Sequence, residues 1–268
     1  MSRSVTPRPT RFRVVALPAE HGSWGLLVEP FVLGFWIAPS VAGAWLGLAA
    51  LGGFLAHHPL KLVFKDWRMG RRTPRTSLAR WFVCLYGLVA LLGSAVTLWV
   101  AQSLFWVPLL LAAPLAVLQF YYDTLGRGRG IVPQLAGAIA LSSMASAVAL
   151  AGDWLLVNAL MLWLILIARS VTTILYVRTR LRRNRGEVSS TTPVWLAHLI
   201  GLFVLLGLAY KAMLPWLAVL ALGVLFVRAI VGLLFSNQSV STKTVGKQEI
   251  GFGILTVVLV GIGYTLGL

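Results

Sequence analysis

Hydrophobic segments long enough to cross a lipid bilayer follow one another along almost the whole chain. A helix needs about twenty apolar residues to cross the hydrocarbon core. Such segments cover residues 23–40, 41–64, 79–101, 104–122, 131–151, 154–177, 192–210, 214–235 and 248–267. With 59% hydrophobic and 11% charged residues among 268, the chain is predicted to be an all-α polytopic membrane protein with nine transmembrane helices. We expect a single membrane domain over residues 1–268, with a basic N-terminal tail at 1–16.

The basic residues occur in alternate loops and therefore predict an orientation in the membrane. Lys and Arg are concentrated at the N-terminus and in 65–80, 123–130, 178–187 and 236–247, and the loops near 102, 153 and 211 carry few. Because cytoplasmic loops are enriched in Lys and Arg, we expect a multi-pass protein of the bacterial cytoplasmic membrane, with the N-terminus inside and the C-terminus outside. Topology then accounts for most of the net charge of +16, and no nucleic-acid partner is expected.

Ionisable residues inside the predicted helices all lie in the half nearer the basic loops. They include Glu29, His57, His58, Lys61, Arg169, His198 and Arg228. A charged side chain at the centre of a bilayer costs about 3 kcal/mol on insertion scales, and such residues are usually paired or line a cavity. The sequence therefore predicts an anion-binding site open to the cytoplasm, with Glu29 as a candidate ion-pair partner for Arg169 at similar depth.

Two rows of cations form the densest part of this predicted site. His57, Lys61 and Lys65 recur every four residues on the second predicted helix and share one face. Arg178 and Arg182 lie one turn apart after the sixth, and we expect the two rows to converge on one negatively charged ligand. The predicted substrate-binding residues are Lys61, Lys65, Arg169, Tyr176, Arg178, Arg182, Glu29, His198, Arg228 and Lys247.

Metal and disulfide chemistry are not expected. The single cysteine, Cys84, cannot form an internal disulfide, and four scattered histidines without a Cys-x-x-Cys pair give no zinc signature. Four glycines in the last predicted helix are typical of close helix packing. They are Gly251, Gly253, Gly261 and Gly263.

Several motifs resemble known families. The segment Pro18-Ala19-Glu20-His21-Gly22-Ser23-Trp24-Gly25, with His57-His58-Pro59 and Lys247-Gln248-Glu249, resembles the YwiC-like family of bacterial membrane proteins over nearly the whole chain. More distantly, the layout resembles the UbiA superfamily of intramembrane prenyltransferases, which are nine-helix bundles. The Asn-Asp-x-x-Asp-x-x-x-Asp motif of that superfamily falls here on His57, His58, Lys61 and Lys65. Its Asp-x-x-x-Asp motif falls on Arg178 and Arg182.

The resemblance to UbiA-type enzymes implies a function, but this chain differs from those enzymes at the positions that bind magnesium. In those enzymes the aspartates hold magnesium ions, which in turn hold a prenyl diphosphate. Lys, Arg and His cannot replace carboxylates as magnesium ligands, but Lys and Arg can bind phosphate oxygens directly. We therefore expect a UbiA-like bundle that binds an isoprenoid or lipid phosphate without magnesium or another cofactor. The candidate acid/base residues for prenyl transfer or proton-initiated rearrangement are Glu20, His21, His57 and His58, and binding without catalysis stays open.

Two functions of other classes stay open. A transporter for a small inorganic anion would explain the cationic residues, although the opposite membrane face has few polar groups beyond Asp153, Asn158, Tyr210 and Lys211. A haem or quinone protein could use His57 and His198, which have similar predicted depth.

Overall fold

The computed structural model describes residues 12–17, 21–70, 73–235 and 241–268, without the side chains of residues 13, 14 and 21–23. These residues form helices joined by short turns and loops. The helices are α1 (Phe12–Ala16), α2 (His21–Ile37), α3 (Val41–Arg68), α4 (Pro74–Val100), α5 (Trp106–Thr124), α6 (Ile131–Ala151), α7 (Leu156–Asn184), α8 (Thr192–Tyr210), α9 (Trp216–Ile230) and α10 (Thr242–Leu266). A π-helical turn, Val231–Phe235, follows α9.

The predicted all-α membrane fold is confirmed. Among the described residues, the eight helices α3 to α10 are long and apolar enough to cross a membrane, with the π-helical turn counted in α9. The apolar part of α2, Trp24–Ile37, is shorter, but α2 packs in the bundle against α6 and α10. The nine predicted segments thus correspond to α2 through α10. The short helix α1 lies within the predicted tail, where its Val15 is buried.

Contacts between neighbouring helices show that the basic loops gather at one end of the bundle. The hydroxyl of Thr76 at the start of α4 donates to Asp66 near the end of α3 at 2.6 Å. Arg183, near the end of α7, donates to the carbonyl of Leu233 after α9 at 2.9 Å. We call this the basic end, because the loops that leave it carry most of the Lys and Arg. At the opposite end, the rings of Trp154 and Tyr264 meet at 5.0 Å.

Helix α6 lies at the centre of the bundle. Its second half, from Ser142 to Ala151, is buried throughout, and it packs against α2, α3, α5 and α7. The hydroxyls of Ser142 and Ser146 donate to the carbonyls of Ala138 and Ala159. Small residues and satisfied hydroxyls allow close approach of helices inside a membrane, so α6 serves as the axis around which the site-bearing helices are placed.

Helices α3 and α4 form a tight pair on one side of α6. A Cβ added at Gly52 would lie 2.7 Å from the backbone nitrogen of Ala90, and one added at Gly93 would lie 2.8 Å from the carbonyl of Trp45. The two backbones therefore touch at both glycines. Thr73 caps the start of α4 in a reciprocal capping box with Thr76, which fixes the turn next to the basic end.

Candidate functional site

Half of the predicted site residues lie in two groups, together with two acidic residues, Glu249 and Asp123, that were not among the predicted site residues. One group, here called the buried cluster, consists of Glu29, Tyr176, Arg169, Arg228 and Glu249 within the bundle. The other, called the basic surface cluster, consists of His57, Lys61, Asp123 and Arg178 around the loop at 125–130 that joins α5 to α6. One member of each predicted row lies near this loop: Lys61 reaches Asp123, which precedes the loop, and Arg178 donates to the carbonyl of Arg129 within it.

The buried cluster contains the predicted pair of Glu29 and Arg169. Nη2 of Arg169 on α7 donates to Oε2 of Glu29 on α2 at 2.7 Å, which confirms the pairing. Only 6% of the Arg169 side chain and 14% of the Glu29 side chain are exposed. Since both helices lie in the apolar bundle, the carboxylate offsets the penalty that the arginine charge would otherwise carry there.

A second ion pair joins α9 to α10 in the same cluster. Nη1 of Arg228 donates to Oε2 of Glu249 at 2.5 Å. The guanidinium carbon of Arg228 lies 4.2 Å from the ring centroid of Tyr176 and 5.2 Å from that of Phe252. Aromatic ring faces attract cations, and more strongly where water is excluded. Arg228 is thus held by one carboxylate and two rings.

The two buried pairs act on one another. Glu249 lies within electrostatic range of Arg169 as well as Arg228, and Glu29 lies within range of Glu249. With both glutamates ionised, the two arginines and two glutamates make this set of four residues neutral as a whole. Such a balance is what a low-dielectric interior requires, because an unmatched charge there is far more costly than at a surface.

Glycines make room for the buried side chains. A Cβ at Gly253 on α10 would collide with the carboxylate of Glu29 and with Nη2 of Arg169. A Cβ at Gly232, in the π-helical turn, would collide with the hydroxyl of Tyr176. Short π-helical stretches are frequent at functional sites. Gly253, one of the four glycines predicted to allow close helix packing, thus makes room for a charged pair, whereas nothing lies within 4 Å of a Cβ at Gly251.

The basic surface cluster is built around Asp123, near the end of α5. Nε2 of His57 donates to Oδ2 of Asp123 at 2.8 Å, and Nζ of Lys61 lies 3.8 Å from Oδ1. His57 and Lys61 are one turn apart on α3, so both reach the same carboxylate. About a third of each of these two side chains is exposed. A neutral His57 that donates from Nε2 keeps Nδ1 as a proton acceptor.

Arg178 ties the end of α7 to the same loop. Its Nη1 donates to the carbonyl of Arg129 at 2.9 Å and lies 3.3 Å from Oε1 of Gln134 on α6. Asp123 precedes this loop, and a Cβ at Gly128 would collide with its carboxylate. Arg127 and Arg129 of the loop are exposed. The loop therefore adds two exposed arginines next to the carbonyl that Arg178 contacts.

The remaining predicted residues lie outside these two clusters. Arg182 pairs with Glu187 at 2.8 Å in an exposed ion pair, and Lys65 and Lys247 are exposed. His58 is half-buried beside His57. Glu20 lies outside the described residues, and His21 begins α2 with a side chain that is not described.

His198, the second histidine of the haem alternative, is fully buried between α8 and α9. Its Nδ1 lies 2.8 Å from the carbonyl of Val194, which can only accept, so Nδ1 donates. Its ring packs against Phe226 at 5.6 Å. His57 instead contacts Asp123 and Phe120. The two histidines thus have different neighbours. Within the described ranges, no group of three or more His, Cys, Asp or Glu side chains could hold a metal ion.

Sequence reasoning missed the partners that organise both clusters. Glu249 belongs to a motif that carries the family resemblance and Asp123 begins the basic segment 123–130, but the sequence analysis assigns neither of them a role. One signal could have identified them: the chain has only seven acidic residues, and an acidic residue near or within an apolar helix must meet a cation or hydrogen-bond donor.

Comparisons with known proteins give one match. The family model described as YwiC-like protein matches residues 17–149. This segment includes α2 through most of α6, and hence Glu29, His57, Lys61 and Asp123. No curated protein and no solved structure matches the chain.

Proposed function

We propose that this chain, which belongs to the YwiC-like family through residues 17–149, binds the phosphate headgroup of an isoprenoid or other membrane lipid at the basic surface cluster. The observation that supports this proposal is the excess of positive charge in the cluster. Lys61 and Arg178 flank a loop that carries Arg127 and Arg129, and Asp123 is the carboxylate that His57 and Lys61 share. This local excess of cations at the end of an apolar bundle suits a ligand with an anionic head and an apolar tail.

Direct capture by side chains is the proposed mode of binding. Arginine offers planar pairs of N–H donors to phosphate oxygens, and lysine offers a compact charge. The headgroup would lie at the basic end, and the tail would lie along the apolar surfaces of α3 and α5. On this proposal magnesium is not required, since Lys61 and Arg178 themselves offset the phosphate charge.

The pair of His57 and Asp123 would supply proton transfer next to the bound phosphate. Asp123 orients the imidazole through Nε2, so that Nδ1 could accept a proton from an acceptor substrate. In prenyl transfer, a nucleophilic atom of the acceptor forms a bond to the prenyl carbon while the carbon–oxygen bond to the diphosphate breaks, and the diphosphate leaves with the bonding electrons. Lys61 and Arg178 would offset that developing charge. We propose binding as the function and transfer as the reaction to test at this site.

The proposed location of the protein is the bacterial inner membrane, with the basic end facing the cytoplasm. The basis is the enrichment of Lys and Arg in cytoplasmic loops. Reporter fusions at the C-terminus test it. Alkaline phosphatase fused there is expected to be active, and a fluorescent protein that folds only in the cytoplasm is expected to be dark. The reverse pattern would invert the proposed topology.

The binding experiment compares lipids that differ only in their headgroup. Purified protein in nanodiscs is titrated with a polyprenyl monophosphate, the diphosphate, the uncharged polyprenol and phosphatidic acid, with bound lipid counted by native mass spectrometry. We expect both prenyl phosphates to bind and the alcohol to bind at least tenfold more weakly, which corresponds to about 1.4 kcal/mol. Equal retention of all four would contradict headgroup recognition. Preference for phosphatidic acid would identify a glycerolipid as the ligand.

Two variants and one matched control locate the site. Lys61→Ala and Arg178→Ala are each expected to weaken prenyl phosphate binding about five- to tenfold. Lys211→Ala removes the same charge from an exposed position at the opposite end and should leave binding unchanged. Addition of EDTA should have no effect. Strict dependence on magnesium, or equal binding by all three variants, would rule out direct capture at this cluster.

A further inference from the structure

A polar side chain lies one helical turn deeper in the bundle than the basic surface cluster. Gln119 belongs to α5, four residues before Asp123, so the two side chains share one face of the helix and are about 6 Å apart along its axis. The side chain of Gln119 is half-buried. The amide is therefore on the inward side of the carboxylate that His57 and Lys61 contact.

Helix α6 places the same amide next to the contacts of Arg178. A Cβ at Gly137 would collide with the carboxamide of Gln119, so the amide lies directly against the backbone of α6. Three residues before Gly137, Oε1 of Gln134 lies 3.3 Å from Nη1 of Arg178. Residues three apart on a helix are neighbours on its surface. Two helices thus independently place Gln119 beside the proposed headgroup site and one turn further in.

The amide of Gln119 has hydrogen-bonding capacity that is not used. Within the ranges that the structure describes, it forms no hydrogen bond with another residue. A carboxamide offers two N–H donors and a carbonyl acceptor, and lipid tails can satisfy none of them. The side chain is only half-buried, so a polar atom from outside the chain can reach it.

The position of the amide indicates which atom of a ligand it contacts. On the proposed function, the phosphate lies at Lys61 and Arg178, and the apolar chain runs inward along α5. The first ligand atom beyond the phosphorus in that direction is the ester oxygen, which can accept a hydrogen bond. We propose that Nε2 of Gln119 donates to this ester oxygen, so that the site selects phosphate esters. The inference rests on the proposed phosphate site and adds recognition of the atom that joins the head to the tail.

Two probes that differ only in this oxygen test the proposal. Farnesyl monophosphate is compared with the phosphonate in which a methylene group replaces the ester oxygen, at a pH at which both headgroups are fully deprotonated. Purified protein in nanodiscs is titrated with each probe, and bound ligand is counted by native mass spectrometry. We expect the phosphate to bind about fivefold more tightly, because the phosphonate loses one hydrogen bond. Equal affinities would overturn the role of Gln119 and leave headgroup recognition intact, whereas no binding of either probe would overturn both proposals.

A leucine variant then assigns the donor. Gln119→Leu removes the amide and suits an apolar helix, and we expect it to bind the two probes with equal affinity. Gln248→Leu makes the same change at an exposed position of α10 and should keep the fivefold preference. If Gln119→Leu also keeps the preference in full, another group recognises the ester oxygen and the assignment is overturned.

A second variant moves the amide without removing it. The methyl group of Gly137→Ala would displace the carboxamide of Gln119, so the preference for the phosphate should fall at least about twofold. Gly87→Ala is the matched control, because nothing lies within 4 Å of a Cβ at that position. If Gln119→Leu does not fold, this comparison decides the question, and an unchanged preference in Gly137→Ala would overturn the proposal.

Discussion

The buried cluster and the basic surface cluster use the same chemistry in different surroundings. In the buried cluster, Arg169 and Arg228 each have their own glutamate, at 2.7 and 2.5 Å. In the surface cluster, Asp123 is shared between His57 and Lys61, and the second contact is 3.8 Å long. In the buried cluster, the charges of the two arginines and the two glutamates balance. Where water reaches, cations are in excess and remain available to a ligand.

This difference indicates which charged residues of the protein stabilise the fold and which are available to bind a ligand. An ion pair without access to water is strongly coupled, and removing one partner leaves an expensive charge behind. A pair at the aqueous boundary is weakened by solvent and salt. We therefore expect substitutions in the buried cluster to act mainly on stability and those in the surface cluster mainly on binding.

The largest effect is expected from Glu29→Gln. The change leaves Arg169 charged inside the bundle, so the free energy of unfolding should fall by about 3–5 kcal/mol. Unfolding in mixed micelles, followed by tryptophan fluorescence, measures it. The double variant Glu29→Gln/Arg169→Gln removes both charges and should recover part of the loss. If Glu29→Gln lowers the free energy of unfolding by less than about 1 kcal/mol, water reaches the pair, contrary to the burial that the structure shows.

An intermediate effect is expected from Gly253→Ala. The added methyl group would collide with Glu29 and Arg169, so the free energy of unfolding should fall by about 1–3 kcal/mol. Gly251→Ala, two residues earlier on α10, is the matched control, because nothing lies within 4 Å of a Cβ at that position. Equal stability of the two variants would show that α10 can shift away from the buried pair without penalty.

A smaller effect on stability, with a gain in binding, is expected from Asp123→Asn. Asp123 accepts a hydrogen bond from His57, so its substitution should lower the free energy of unfolding by about 1 kcal/mol. The carboxylate also competes with a ligand phosphate for Lys61, so its removal should strengthen prenyl phosphate binding. Native mass spectrometry against prenyl phosphate concentration measures the gain. Asp66→Asn makes the same charge change at the same end and should not produce it. Weaker binding by Asp123→Asn would instead assign Asp123 a positioning role for His57.

The smallest effect is expected from Glu187→Gln. Glu187 and Arg182 are both more than 40% exposed, and exposed ion pairs contribute about 0–1 kcal/mol. The same unfolding assay, repeated at 0.1 and 1 M NaCl, should show a difference that disappears at high salt, since the Debye length falls from about 10 to 3 Å. The Glu29→Gln loss should persist at both. If the Glu187→Gln loss equalled that of Glu29→Gln, exposure would not explain the contrast between the two clusters.

Much of the fold was predictable because membrane helices carry a strong local signal. The nine predicted segments match α2 through α10, since runs of apolar residues and the alternation of basic loops depend only on neighbouring residues. The pairing of Glu29 with Arg169 was also predictable, because a bilayer leaves a buried carboxylate few alternatives. The short helix α1 was not predicted, because it lies within a segment whose basic residues and prolines gave no helical signal.

The amino-acid sequence by itself determined where nine apolar segments lie, which of the loops between them are basic, and that charged side chains near the bilayer core must find partners. Only the tertiary structure decided which partners those are. It assigned Asp123 to His57 and Lys61, and Glu249 to Arg228, and it used Gly253 to accommodate the first buried pair. The physical reason is that apolarity is a property of each segment, whereas an ion pair between helices depends on which faces the packing brings within about 3 Å of one another.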